Sequence, residues 1–272
     1  MNHWRDMRWE GPAPQRPGSQ ETCHRQNETR RETGHECCRG GGEEKDKMHI
    51  EPGVVDGAKM VLAYGTAAAA GGYSLKLAAD DLKSHSVPSF VVRTVLATIG
   101  VFIFFEILPH FAVGISEVHF ILGTTLFLLL GPAAAAFGLA AGLLIQGTLF
   151  APSDMPMFFV NVTTLLFPLF AIHALAKRIV PDATAYVDLS YGQVLKMSAI
   201  YQGGVVAWVA FWAIYGQGVG AENMQAVLTF GAAYMLVVLI EPLADLAVLG
   251  AAKAIRDRKT GPLFTNRLFN AA

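Results

Sequence analysis

Long apolar stretches recur along this chain and limit the folds open to it. Six or seven of them reach the roughly 17–25 residues that span a lipid bilayer as an α-helix. The predicted spans are Val54–Leu77, Pro88–Leu108, Val113–Leu130, Ala133–Phe150, Met157–Ala176, Val194–Tyr215 and Ala226–Ala251. The sequence is 53% hydrophobic and only 16% charged, and helices satisfy their own backbone polar groups within lipid. The pattern therefore predicts an all-α polytopic membrane helix bundle of about seven transmembrane helices.

Small residues and a short turn indicate how the predicted helices pack. Gly131-Pro132 alone joins the third and fourth spans, which predicts a tight turn at a membrane face. Gly138 and Gly142 form a GxxxG pair, and their missing side chains let two helices approach closely. We therefore expect the fourth span to pack tightly against a neighbour.

The distribution of Lys and Arg predicts the orientation in the membrane. Neither residue occurs between Arg93 and Lys177 or between Lys196 and Lys253. With seven helices, the positive charge falls after the first, fifth and seventh, at Lys76, Lys83, Lys177, Arg178, Arg256, Arg258, Lys259 and Arg267. By the positive-inside rule, the C-terminus is cytoplasmic and Met48 faces outward from the cell (inner) membrane.

Residues 1–47 differ in composition from the rest of the chain. They hold nine of the 21 Lys and Arg, nine of the 22 Asp and Glu, and all three Cys, without apolar periodicity, which predicts disorder. A zinc site is an alternative, but the spacing of its candidate ligands fits no standard finger; these are Cys23, His24, His35, Cys37 and Cys38. The positive-inside rule would put the seven Arg of this leader on the wrong side. We therefore predict an untranslated leader, a true start at Met48, and a transmembrane domain over 48–272.

Two features of the leader support a start at Met48. Gly42-Glu43-Glu44 can be encoded by a purine-rich ribosome-binding sequence, at the distance from Met48 that initiation needs. Ser19-Gln20-Glu21-Thr22-Cys23-His24 can be encoded by a string that resembles the closing consensus of cobalamin riboswitches. The nucleotide sequence tests this hypothesis, because different codons would remove the likeness.

A start at Met48 would turn the first two residues into a metal chelate. The free α-amine of Met48, the amide nitrogen of His49 and the His49 imidazole can close two fused chelate rings around one ion. Three nitrogens in a plane suit Ni(II), Cu(II) and low-spin Co. A peptide bond before Met48 would remove the first ligand, so the chelate depends on where the chain starts.

A fourth nitrogen ligand is expected from His119. The histidines after the leader are His49, His85, His110, His119 and His173. His85 and His173 belong to the predicted cytoplasmic side, whereas His110 and His119 belong to the outer ends of helices two and three. His119 lies just inside predicted helix three, where an ionisable group is costly and usually functional.

Carboxylates lie on the predicted outer loops, at Glu117, Asp154 and Glu222. Together they would weakly concentrate cations, although an interpretation as solvated loop residues is at least as good. Glu117 is two residues from His119 and would either add a charged ligand or face water.

Several short motifs, taken in order, carry a resemblance to a known family. They are Met48-His49-Ile50-x-x-Gly53, Val118-His119-x-x-x-Gly123 followed by Leu-rich sequence and Gly131-Pro132, and Leu144-Ile145-Gln146-x-x-Leu149-Phe150 with Asn161 fifteen residues past the Gln. This ordered set resembles the cobalt/nickel substrate-binding membrane subunits (S components, CbiM/NikM type) of energy-coupling factor ABC transporters. The resemblance covers nearly all of 48–272.

The resemblance implies which residues hold the ion. In that family the N-terminal Met-His tail folds back into the membrane domain, where a helix histidine completes a square of nitrogens. Carried over by position, the ligands are the Met48 amine, the His49 amide and imidazole, and the His119 imidazole. Gln146 and Asn161 would orient these ligands or, with equal weight, hydrogen-bond neighbouring helices.

The resemblance also implies partners. They are a transmembrane coupling subunit, two cytoplasmic ATPase subunits and a small accessory membrane subunit; the transported Co²⁺ or Ni²⁺ is the substrate, and no prosthetic group is expected. The sequence has no GxxxxGK[ST] loop, so ATP hydrolysis falls to those partners. Glu241 and Asp245, one helical turn apart, would contact the coupling subunit or pair with a cationic group. No cluster of Lys and Arg with interleaved aromatics indicates nucleic acid.

Four functions are open to such a chain. The leading hypothesis is capture of Co²⁺ for import and cobalamin biosynthesis, and the nickel uptake subunit is the runner-up, since only the riboswitch-like leader separates the two. An intramembrane metallohydrolase using His110, His119 and Glu117 is a third hypothesis, although it lacks an HExxH arrangement. A membrane scaffold with no ligand is the fourth.

Overall fold

Helices account for most of the chain in the computed structural model, which describes Ile50 and residues 52–181 and 184–254. The described residues fall within one compact unit. The leader 1–47, Met48, His49 and the positively charged end after residue 254 lie outside the described residues. What the sequence predicts for them therefore stays a prediction.

Seven α-helices form the described part of the chain. They are α1 (Met60–Asp81), α2 (Val87–Phe102, continued by a π-helical turn, Ile103–Ile107), α3 (Gly123–Leu130), α4 (Pro132–Leu149), α5 (Phe158–Ile179), α6 (Tyr191–Gln217) and α7 (Ala221–Ala254). Among the described residues, five helical stretches are long and apolar enough to cross a membrane: Val87–Ile107, Pro132–Leu149, Pro152–Ile179, Tyr191–Gln217 and Ala221–Ala254. They correspond to the second, fourth, fifth, sixth and seventh predicted spans, and they confirm a polytopic helical membrane protein.

Local sequence explains where several of these helices begin. The Ser86 hydroxyl accepts a hydrogen bond from the Ser89 amide, 3.4 Å away, at the start of α2. Ser190 and Gln193 form a capping box before α6, in which each side chain accepts from the other residue's backbone amide. Pro132 is the first residue of α4, where its missing amide hydrogen costs nothing. The caps satisfy amides that helix geometry leaves without partners.

The first helix is displaced from its predicted position. The sequence predicts a span over Val54–Leu77, whereas α1 extends over Met60–Asp81. The residues before α1 form turns and a short 3-10 helix, Gly57–Lys59. The 22 residues of α1 are rich in Ala and Gly and less apolar than the other long helices, which explains why the boundaries of this span are the hardest to predict.

The third predicted span, Val113–Leu130, is wrong over its first half. Strands β1 (Phe111–Val113) and β2 (Ser116–Val118) form an antiparallel hairpin there, so the fold is not purely α-helical. Only α3 is helical, and its eight residues extend about 12 Å, less than half of a hydrocarbon core of about 30 Å. Gly114 turns the hairpin with a φ of +66°, and a Cβ there would lie 2.5 Å from the Ala226 carbonyl oxygen.

Contacts at the two ends of the bundle show how this broken segment runs. At one end, called the Arg93 end, Arg93 of α2 donates to the Leu130 carbonyl at 2.7 Å and to Asp81 at the end of α1. At the other end, called the Lys59 end, the Lys59 ammonium donates to the Gly216 carbonyl at the end of α6. Gly114 packs against the start of α7, which follows shortly after Gly216 in the chain. Segment 111–130 therefore runs from the Lys59 end to the Arg93 end.

The predicted close approach at the GxxxG pair is confirmed. A Cβ on Gly138 would lie 2.2 Å from the Cβ of Ala97, and one on Gly142 would lie 2.5 Å from Val101. Real Cβ atoms do not approach other atoms so closely, so α4 can lie against α2 at this distance only because both positions lack a side chain.

Candidate metal-capture site

A small cavity lies where the segment after β2 meets α5, α6 and α7. Its volume is about 20 Å³, enough for one water-sized sphere. Its polar lining comes from Ser116, Glu117, His119, Asn161, Thr164 and Tyr234. Ile50, at the N-terminal limit of the described residues, lines the same cavity, so the structure brings the start of the domain next to His119.

His119 is buried, with 6% of its surface exposed, but it does not lie in a helix. It belongs to the extended segment between β2 and α3, which corrects the prediction that it sits just inside helix three. Its ring packs edge-on against Phe105 with centroids 4.6 Å apart, and Nδ1 lies 3.3 Å from the Phe120 carbonyl oxygen. A carbonyl oxygen only accepts, so this contact requires a proton on Nδ1; in a neutral imidazole, Nε2 would then be the nitrogen that binds a metal.

Asn161 of α5 holds the N-terminal segment in place. Its side-chain oxygen accepts a hydrogen bond from the Ile50 amide at 3.2 Å, and both residues are buried. Farther along, Val54 and Val55 are also buried. The Val54 carbonyl lies so close to Gly216 that a Cβ on that glycine would be 1.8 Å from it. The segment before α1 is therefore packed into the Lys59 end of the bundle.

Two of the three outer-loop carboxylates are buried, which corrects their interpretation as solvated groups. Glu117 is 4% and Asp154 is 5% exposed, whereas Glu222 is exposed as expected. Glu117 Oε1 lies 3.9 Å from Nε2 of His110 across the hairpin. In the hairpin, Glu117 of β2 lies opposite Ala112 of β1. This pairing directs the Glu117 side chain toward the cavity that it lines.

The other candidate residues lie apart from this cavity or outside the described chain. Gln146 of α4 is fully buried but is not among the described residues that line the cavity. Met48 and His49 lie outside the described residues. Among the residues that the structure does describe, no group of three or more His, Cys, Asp or Glu is arranged to hold a metal ion.

A larger cavity of about 280 Å³ opens at the Arg93 end. His85 and His173 line it together with Asp81, so both histidines lie far from His119, as the sequence predicts. Nearby, hydrogen bonding to Lys83 lowers the pKa of the exposed Asp80 carboxyl. Burial, with a smaller contribution from the charge of Asp245, raises the pKa of Tyr186 well above its usual value.

Glu241 and Asp245 of α7 have partners that the sequence did not indicate. Glu241 accepts hydrogen bonds from the backbone amides of Ile121 and Leu122, and Asp245 accepts one from the Thr125 hydroxyl. Both carboxylates are almost fully buried, so neither expected role, contact with a coupling subunit or pairing with a cation, describes these contacts. In the sequence, these contacts are indicated only by the two acids themselves, because a carboxylate in an apolar helix needs hydrogen-bond donors.

Comparison with protein families gives a match to a family of known role. The family model described as the cobalt uptake substrate-specific transmembrane region, CbiM, matches residues 49–258. Comparison with curated proteins and with solved structures gives no match. The matched region begins one residue before Ile50 and includes every described residue that lines the cavity.

Proposed function

Because this chain belongs to the CbiM family of cobalt uptake substrate-specific transmembrane regions, we propose that it captures Co²⁺ for an energy-coupling factor importer. Members of this family are transport components and not enzymes. The observation that carries the proposal is the hydrogen bond from the Ile50 amide to Asn161, in the cavity that His119 lines. It supports a binding site shared by the start of the domain and one buried imidazole.

The proposed ligands are the Met48 amine, the His49 amide and imidazole nitrogens, and the His119 imidazole. Consecutive Cα atoms lie about 3.8 Å apart, so His49 and Met48 follow directly from a residue that already lines the cavity. We propose that translation starts at Met48, which frees the amine. The family match, which begins at residue 49, supports this start.

Two neighbouring side chains are proposed to support the ligands. Asn161 fixes the backbone next to His49 and thereby sets where the chelate lies. Glu117 brings a carboxylate into the cavity wall two residues from His119, where a negative charge favours a cation in surroundings of low polarity. Gln146 of α4 does not line the cavity, and its proposed role in orienting the ligands comes from the family resemblance alone.

We further propose that the Lys59 end faces outward and the Arg93 end faces the cytoplasm. Lys83, Lys177 and the Asp81-bound Arg93 cluster toward the second end, as the positive-inside rule requires. A coupling subunit, two ATPase subunits and a small accessory membrane subunit would then assemble with the chain and drive release inward. The imported Co²⁺ would supply cobalamin biosynthesis.

The test compares three forms of the protein purified in detergent. One begins at Met48, one carries three Gly residues before Met48, and a control carries three Gly residues after Ala272. We expect the N-terminal Gly residues to weaken Co²⁺ binding by about 100-fold, because an amide replaces the Met48 amine and the new amine lies too far along the chain to join the chelate. The control should bind as the first form does. Equal binding by all three forms would contradict the chelate.

The same proteins distinguish cobalt from nickel. Planar nitrogen ligation suits Ni²⁺ at least as well as Co²⁺, so binding alone does not identify the cargo. In cells, we expect Co²⁺ uptake that equimolar Ni²⁺ does not suppress. Uptake of Ni²⁺ that resists competition by Co²⁺ would assign the nickel function instead.

A further inference from the structure

The backbone just before α3 is held by a side chain from the opposite end of the sequence. We propose that Glu241 is a positioning residue that fixes the segment carrying His119 in the geometry needed to capture the ion. This inference rests on the proposed function, since it assumes that His119 is a ligand. It assigns a role to Glu241, an acid whose burial inside the bundle would otherwise only cost stability.

The break in the third segment creates a need for hydrogen-bond acceptors. The first amides of an α-helix have no partners within the helix, and α3 begins inside the bundle, where water cannot supply them. No side chain from the preceding residue caps α3. Leu122, which precedes it, adopts the left-handed conformation with φ +51° and is the one non-glycine residue with positive φ among those described. Such a conformation persists only when its surroundings enforce it.

Glu241 supplies acceptors for the two amides just before α3. Oε2 accepts from the Ile121 amide at 3.0 Å and Oε1 accepts from the Leu122 amide at 2.5 Å, so both oxygens bind consecutive backbone groups. Its side chain is fully buried. Since His119 is only two residues before Ile121, a shift of this backbone moves the imidazole within the cavity.

Asp245 offers a matched comparison on the same helix face. It lies one turn farther along α7 and is equally buried, but it accepts from the hydroxyl and backbone amide of Thr125, inside α3, rather than from the backbone before α3. The ring of Tyr201 lies against Gly123, where a Cβ would be 2.1 Å from it. These contacts hold α3 itself, so loss of Asp245 should leave the His119 segment in position.

The experiment measures Co²⁺ binding and the visible absorption of the bound ion in detergent-purified protein with its natural N-terminus. Glu241→Gln keeps one acceptor oxygen but opposes the second amide with a donor. We expect its affinity to fall about tenfold or more, and its absorption bands to shift at saturating Co²⁺, because the imidazole is displaced. Asp245→Asn should stay within about threefold of wild type with unchanged bands. Glu241→Asp, which retains both acceptors on a shorter side chain, should lie between wild type and Glu241→Gln.

Each outcome supports or overturns the inference. If Glu241→Gln does not fold, a Glu241→Asp protein with wild-type affinity and bands overturns it. Wild-type binding by Glu241→Gln overturns it as well, as does equal loss in Glu241→Gln and Asp245→Asn with unchanged bands. A His119→Ala arm separates this inference from the proposed function. Binding that survives His119→Ala refutes the proposed ligand set, whereas binding that is lost there but retained in Glu241→Gln refutes only the positioning role.

Discussion

The contact between α2 and α4 and the broken segment 111–130 differ in how their backbone polar groups find hydrogen-bond partners. In the helix pair, the backbone groups between the helix ends are satisfied within each helix, and Gly138 and Gly142 allow close packing against Ala97 and Val101. In the broken segment, side chains from other helices supply the missing partners. Glu241 binds the amides before α3, and Arg93 binds the carbonyl at its end.

This difference shows where a membrane protein can place an irregular backbone. Such a backbone survives within the apolar layer only when protein covers it and satisfies its polar groups. The covering elements here also enclose the cavity that His119 and Asn161 line. The region that cannot stabilise itself is therefore the region proposed to bind the cargo, and the regular helix pair serves as its frame.

Substitution at the helix pair should damage stability and leave the site intact. Gly138→Ala would put a Cβ 2.2 Å from that of Ala97, and overpacking of this kind costs about 2 kcal/mol, or roughly 30-fold in the unfolding equilibrium. We expect a lower thermal midpoint in detergent, with unchanged Co²⁺ absorption bands. The control is Gly231→Ala in α7, where nothing lies within 4 Å of the added atom. Equal midpoints for the two variants would show that the close approach is not needed.

Substitution at the Lys59 end should weaken Co²⁺ binding and leave stability almost unchanged. Gly216→Ala would bring a Cβ within 1.8 Å of the Val54 carbonyl and push the N-terminal segment away from the bundle. We expect Co²⁺ affinity to fall about tenfold, equivalent to about 1.4 kcal/mol, with little change in thermal midpoint. Gly203→Ala in the same helix, with nothing within 4 Å, should bind as wild type does. Retained affinity in Gly216→Ala would break the proposed link between this segment and the site.

Sequence alone was sufficient for the regular helices. The predicted sixth span, Val194–Tyr215, lies inside α6, and the fourth differs from α4 by one residue at each end. Such helices are local, because length, apolar content and internal hydrogen bonds determine them together. The same reasoning failed over 113–122, where it extended the helix of the following apolar run back through a hairpin and an extended segment.

The failure has a physical cause that local sequence does not contain. What permits the extended backbone around His119 is Glu241, 119 and 120 positions away from the two amides that it binds. Burial of Glu117 likewise depends on a hairpin that hydropathy does not indicate. By contrast, the family resemblance identified Asn161 as a candidate, and its contact is with the residue next to His49.

X-ray absorption spectroscopy of the bound cobalt shows whether the start of the domain and His119 hold one ion together. The samples are Co²⁺-loaded proteins that begin at Met48, with His119 intact or replaced by Ala. If the domain start and His119 do hold one ion together, we expect about four nitrogen ligands around cobalt in the first sample, and in His119→Ala the loss of one imidazole, detected through its outer-shell scattering. A shell dominated by oxygen, or a spectrum that His119→Ala leaves unchanged, would show that they do not.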